Sequence, residues 1–167
     1  MKYFLVGMPS CGKSSLAKII SKEINISFID LDKEIESIEK KSINQIFNIE
    51  GEDYFRKIES EVLNSIIKNN TSFIMATGGG TPCYNDNMKI INDNGTSIFI
   101  DVKINELENR LKNKKDRPLL NSHQDKIQIL KKMYDERKSY YQESNYRVSD
   151  IKDQKKEILS IIRQLKS

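Results

Sequence analysis

The stretch Gly7 to Ser14, GMPSCGKS, restricts the fold of this chain more than any other, because it works only between a strand and a helix. Ahead of it Tyr3 to Val6 is an apolar run without alternation, the pattern of a strand buried on both faces of a parallel sheet. Behind it Leu16, Ile19, Ile20 and Ile24 recur at helical spacing. The glycines, Gly7 and Gly12, let the backbone N–H groups of Met8, Ser10 and Cys11 turn inward as a nest for anionic oxygens, with Pro9, which has no N–H, shaping the turn between them. Lys13 brings a point charge to the β and γ phosphates, and Ser14 offers a hydroxyl to Mg²⁺. Ser15 caps the helix, binds phosphate or does neither. The helix starting here aims its positive end at the same anion. A chance match in a chain of this length is on the order of 1%, so a plain glycine turn beside a surface lysine is the weaker reading. A bound purine nucleoside triphosphate with Mg²⁺ is the expectation. The loop alone does not choose between an NTPase switch and a small-molecule kinase.

Strand and helix signals alternate to the end of the chain. SFIDLD reads as a second strand, TSFIMAT as a third, TSIFIDV as a fourth and YRVSD as a short fifth. A long charged segment, 33–69, has helical period, with Ile35, Ile38, Ile43, Ile46, Phe47, Phe55, Ile58, Val62, Leu63, Ile66 and Ile67 expected on its buried sides. Gly51 is expected to divide it into two helices. Further helices are expected at DNMKIINDNG, from KINELENRLK onward, over 124–143 and over 154–165. This alternation predicts one doubly wound α/β domain over residues 1–167. Segments 33–65 and 111–123 have no place in a plain βαβ scheme. Such insertions tend to lie over the ligand crevice.

Composition adds exclusions. Basic and acidic side chains number 28 and 24, a net charge of +4 that mildly favours anionic ligands and gives no sign of nucleic-acid binding. No window approaches 18 apolar residues, so no membrane association is expected. With no basic, apolar leader the expected location is the cytoplasm. Cys11 and Cys83 are too few for a disulfide framework, and the single histidine, His123, cannot build a triad or metal centre alone. No spare apolar face stands out, which predicts a monomer.

A second set of residues points to the acceptor of the phosphoryl group. Asp30 and Asp32 stand near the end of the second strand, where open α/β sheets bind ligands. One could orient Mg²⁺ through water while the other accepts a hydrogen bond from an attacking hydroxyl; Asp32 could instead be a helix N-cap. Arg56 and Glu59 are three apart on one helical face. They are either a surface pair or a device in which Glu59 fixes Arg56 to grip a carboxylate. Gly78, Gly79 and Gly80 are entropically costly in a row and make sense where the backbone must come very close to another group. Arg110, Lys112, Lys114, Lys115 and Arg117 surround Pro118 in what reads as a closing lid or a solvated basic loop. Arg137 shares a helix with Tyr134 and Tyr141, as a core-edge residue or a second carboxylate clamp.

Taken in order, these residues resemble the shikimate kinase family along nearly the whole chain. The phosphate loop matches at 7–14 and the D-x-D at Asp30 and Asp32. IFNIEGEDYFRKIE matches at Ile46, Phe47, Gly51, Glu52, Phe55, Arg56 and Glu59. The triple glycine matches Gly78 to Gly80, the R-P-L-L lid Arg117 to Leu120, and the helix arginine Arg137. Asn113 and Ser144 depart, standing where arginine and alanine are usual.

The resemblance implies a P-loop kinase three-layer α/β/α sandwich, with a parallel sheet of order 2-3-1-4-5, a lid at 111–123 and a substrate-binding helical segment at 33–62. It implies transfer of the ATP γ-phosphoryl group to the 3-hydroxyl of shikimate, with one Mg²⁺ per site. Asp32 would hold the reacting hydroxyl, Arg56 and Arg137 the substrate carboxylate, and Gly78, Gly79 and Gly80 would lie against the substrate. Arg117 would reach from the lid toward substrate and phosphates, and Arg110 would pack on the adenine. Ser14 would ligate Mg²⁺ directly and Asp30 through water. Lys13, Asp32 and Arg117 form the expected catalytic set. A gluconate or nucleoside monophosphate kinase would share the first loop but not the FR..E, GGG and RPLL sequence as a set. A non-catalytic ATP-binding module would not need Lys13, Asp32 and Arg117 together.

Overall fold

A computed structural model describes residues 1–112, 123–149 and 153–166. Its centre is β1 (Lys2–Val6), flanked by β3 (Phe73–Ala76) and β4 (Thr96–Ile100), with Leu5 opposite Ala76 and Val6 opposite Phe99. Beyond them lie β2 (Ser27–Asp30) and β5 (Tyr146–Val148). Every pairing is parallel and the order is β2-β3-β1-β4-β5. This is the sheet order implied by the family resemblance. The inner strands are apolar because helices cover both faces; Phe4, Leu5, Val6, Phe73, Ile74, Met75, Ile98 and Ile100 are fully buried.

The helices follow the expected order, with one extra break. They are α1 (Lys13–Ile24), α2 (Leu31–Glu39), α3 (Ile43–Ile49), α4 (Glu52–Asn69), α5 (Asn87–Asn94), α6 (Ile104–Lys112), α7 (His123–Gln142) and α8 (Gln154–Gln164). Gly51 divides the long charged segment as expected, from a left-handed φ of 87°. A second division between α2 and α3 was not anticipated. There Lys40 is left-handed, and Ser42 caps α3 by accepting from the Gln45 N–H while the Gln45 side chain accepts from the Ser42 N–H. The S-x-x-Q spacing was the available signal, hidden by the unbroken isoleucine period on either side.

The second strand is also shorter than SFIDLD suggested. It ends at Asp30, and α2 begins at Leu31, so Asp32 lies in the first helical turn. Asp30, not Asp32, is the N-cap, its carboxylate accepting from the Lys33 N–H at 3.4 Å. The lid expected at 111–123, with Arg117 in it, lies outside the described residues except where α6 ends and α7 begins. No helix among the described residues is long and apolar enough to cross a membrane.

Candidate active site

The C-terminal ends of the strands collect nearly every residue singled out in the sequence. The phosphate loop leaves β1 with Gly7 at φ 141°, where an added Cβ would stand 2.8 Å from the Ile100 carbonyl oxygen. Only glycine fits there, for conformation and for space. Gly12 is left-handed at φ 104° immediately before α1. Lys13 is buried, and its Nζ donates to the Gly7 and Met8 carbonyls, each at 2.8 Å. The ammonium thus sits inside the loop, while Ser14 and Ser15 are exposed at the helix start. From α6, Arg110 Nη1 donates to the Cys11 carbonyl at 2.8 Å and its Nε donates to Glu106 at 3.2 Å. Arg110 therefore lies over the phosphate loop.

Across from the loop two carboxylates converge. A Cβ on Gly78 would lie 2.9 Å from Asp32 Oδ1 and from Glu59 Oε1. Burial first, and then the negative charges of Glu59 and Asp30, push the Asp32 carboxyl up to about 6, against a smaller opposing pull from Lys13. Glu59 is wholly buried and pairs with Arg56, whose Nη1 donates to Oε2 at 2.8 Å. The surface-pair alternative for these two residues therefore fails. On its other edge Arg56 donates from Nε and Nη2 to Glu52 Oε1 at 3.2 and 3.1 Å. Tyr84 lies over its guanidinium at 4.1 Å from the ring centre, with Phe55 at 5.0 Å.

The three glycines make room first for groups of this chain. A Cβ on Gly80 would meet Arg56 Nη2 at 2.6 Å, and one on Gly79 would meet Pro9 Cδ at 2.7 Å. Gly79 thereby lets the strand-end backbone touch the phosphate loop. Tyr141 of α7 donates to the Gly79 carbonyl at 2.5 Å, tying that helix to the same corner. Arg137, one turn earlier, bonds to Tyr141 and exerts its charge on Cys83 and Tyr84, as Arg56 also does on both. The two arginines thus address one corner. Burial outweighs both charges at Cys83 and raises its thiol to about 11. A groove of ≈ 510 Å³ on the far side of Arg56 is lined by Glu52, Lys57, Glu61 and Asn85 among others, and includes neither Lys13 nor Asp32.

Thr81, Tyr84 and Asn87 belong to this site and were not singled out by sequence. Threonine directly after the triple glycine was the only hint. Ser144, where alanine is usual, has a buried Oγ with no hydrogen-bond partner among the described residues. A divalent cation suits the donors present: the exposed Ser14 hydroxyl and the carboxylates of Asp30 and Asp32 are hard oxygen ligands, and Asp32 sits in a surplus of negative charge.

Residues 9–166 match the family described as shikimate kinase. The chain belongs to the shikimate kinase family. The shikimate kinase of Sulfurihydrogenibium sp. (strain YO3AOP1) is 38% identical over 146 residues, 87% of this chain and 86% of that protein. The crystal structure of shikimate kinase from Bacteroides thetaiotaomicron is similar with a TM-score of 0.91, at 27% identity, covering 100% of this chain and 99% of that one. Shikimate kinase from Acinetobacter baumannii, solved in complex with shikimate, aligns with a TM-score of 0.88 at 27% identity, over 99% of this chain and 94% of that one. The sandwich is that of P-loop kinases, and the activity is ATP:shikimate 3-phosphotransferase. ATP and shikimate are the substrates.

Proposed function

We propose that in this shikimate kinase Asp32 accepts the hydrogen bond of the acceptor hydroxyl while the phosphate loop holds ATP opposite it. The supporting observation is the convergence at Gly78: a desolvated carboxyl with a pKa raised to about 6 stands between the Lys13 loop and the Arg56–Glu59 pair. A carboxyl poised near the working pH suits proton acceptance from an alcohol. Arg56 and Arg137, addressing one corner, bind the substrate carboxylate; a planar fork suits that group better than a point charge. Gly78, Gly79 and Gly80 form the wall between them. Lys13 and the loop from Gly7 to Ser15 bind the phosphates, with Arg110 beside the nucleotide and Arg117 entering from the lid. Residues 33–62 form the substrate-binding segment and 111–123 the lid within a single domain spanning 1–167.

One Mg²⁺ per site would be held by Ser14 and, through water, by Asp30, and when bound would neutralise phosphate charge. Its removal with chelator should abolish turnover. The working unit is a cytoplasmic monomer; the exposed apolar residues Ile19, Ile38 and Ile49 are scattered over three helices, and Leu165 lies just past the end of α8. Asp32→Asn is the direct test. It should lower kcat by about a hundredfold or more while ATP affinity holds. An unchanged kcat would remove Asp32 from the chemistry.

A further inference from the structure

Glu59 is a buried anion with two oxygens, and Arg56 satisfies only one of them. The other, Oε1, accepts from Thr81 Oγ1 at 2.5 Å. Thr81 is itself wholly buried and tightly held. Its N–H donates to the Gly78 carbonyl at 3.3 Å, and its own carbonyl accepts from Asn87 Nδ2 at 3.0 Å. Asn87, wholly buried at the start of α5, accepts on Oδ1 from Ser60 Oγ at 2.8 Å. Ser60 is the neighbour of Glu59 in α4. The bonds therefore leave α4, pass through α5 and the turn after the triple glycine, and return to α4 one residue away. Thr81 Oγ1 also lies 2.9 Å from where a Gly78 Cβ would be, as do the carboxylate oxygens of Asp32 and Glu59.

A carboxylate with a single partner can turn about its terminal bond, because that torsion is broad. With a donor on each oxygen it cannot turn without breaking one bond. We infer that Thr81 is a positioning residue for the acceptor substrate: its hydroxyl locks the Glu59 carboxylate in the orientation that holds Arg56 Nη1, and so aims the guanidinium at the corner shared with Arg137. Asn87 and Ser60 hold Thr81 in turn. The inference rests on the reading that Arg56 binds the substrate carboxylate. It concerns binding of shikimate and leaves the ATP side untouched, because the ring of bonds has no member in the phosphate loop.

The test is Thr81→Val, which keeps the shape of the side chain and deletes the donor, beside Thr81→Ser, which keeps the donor. Thr81→Val should raise the KM for shikimate roughly tenfold to a hundredfold, the worth of a hydrogen bond to a charged group. The KM for ATP should not move, and Thr81→Ser should restore the shikimate KM. A wild-type shikimate KM in Thr81→Val, an equal rise in both KM values, or a serine variant as impaired as the valine would each overturn the inference. Should the valine variant not fold, Thr81→Ala deletes the same donor without adding bulk, and the same outcomes decide. Arg56→Ala run alongside separates the two layers. If it raises the shikimate KM while Thr81→Val does not, the role of Thr81 alone falls. If it leaves that KM unchanged, the Arg56 reading falls and takes this inference with it.

Discussion

Asp32 carries a carboxyl that the fold has made costly to ionise. Its pKa is raised to about 6 from 3.8, chiefly by burial and then by Glu59 and Asp30. A carboxyl raised in the folded state binds its proton more tightly there than when unfolded. The penalty is absent below about 3.8, grows as pH rises through the window up to about 6, and is complete above it. Asp32→Asn mimics the neutral form, so in ligand-free enzyme it should be more stable than wild type at pH 7.5, by up to about 3 kcal/mol, and no more stable at pH 3.5. Urea denaturation at both pH values reads this directly. An equal difference at both would show that packing, not charge, is responsible. The variant proposed to disable chemistry should thus stabilise the protein. At this scale the sequence identified Asp30, Asp32, Arg56 and Glu59 as candidates and offered only Asp32 as an alternative helix cap, whereas Asp30 is the cap, because a strand end and a helix start overlap within IDLD. It was silent on Thr81, whose role depends on an oxygen 22 positions away in the chain.

Among the elements, the break between α2 and α3 shows how a local motif overrides a hydrophobic period. Ile35, Ile38, Ile43 and Ile46 fit one continuous helix, yet the left-handed Lys40 and the capping box at Ser42 end one helix and start another. The Lys41–Glu50 ion pair, 2.7 Å, brackets α3. Because α3 has only seven residues, its cap is a large part of what holds it. Ser42→Ala should lower stability by about 1 kcal/mol in urea titration. Loss of well under that amount would mean that packing of Ile46 and Phe47 against α4 suffices. The glycine trio teaches a related point. Its need for a close approach was legible, but the approaching groups are Arg56, Pro9 and two carboxylates of this chain, which no spacing in the sequence reveals.

For the molecule as a whole, the phosphate loop ties ligand binding to stability. On the proposed reading ATP with Mg²⁺ binds only the folded loop, so ligand at a hundred times its Kd should add about 2.7 kcal/mol and raise Tm by roughly 5–10 °C. Thermal melts with nucleotide should show this shift, and it should shrink when Mg²⁺ is omitted and largely vanish in Lys13→Ala. A full shift in Lys13→Ala would contradict the place given to that lysine. What the sequence by itself determined is the set of strands and the phosphate loop, together with an ordered set of motifs whose resemblance to a family implied the sheet order. The strands and the loop rest on near-neighbour patterns: apolar runs, helical periods and glycines whose backbone demands are local. Only the tertiary structure decided that Glu59 is a buried anion shared between Arg56 and Thr81, and that Arg56 and Arg137 address one corner. It decided also that Asp32 is hard to ionise. Burial and charge proximity are sums over residues distant in the chain, and the parallel sheet brings those residues together only when it forms.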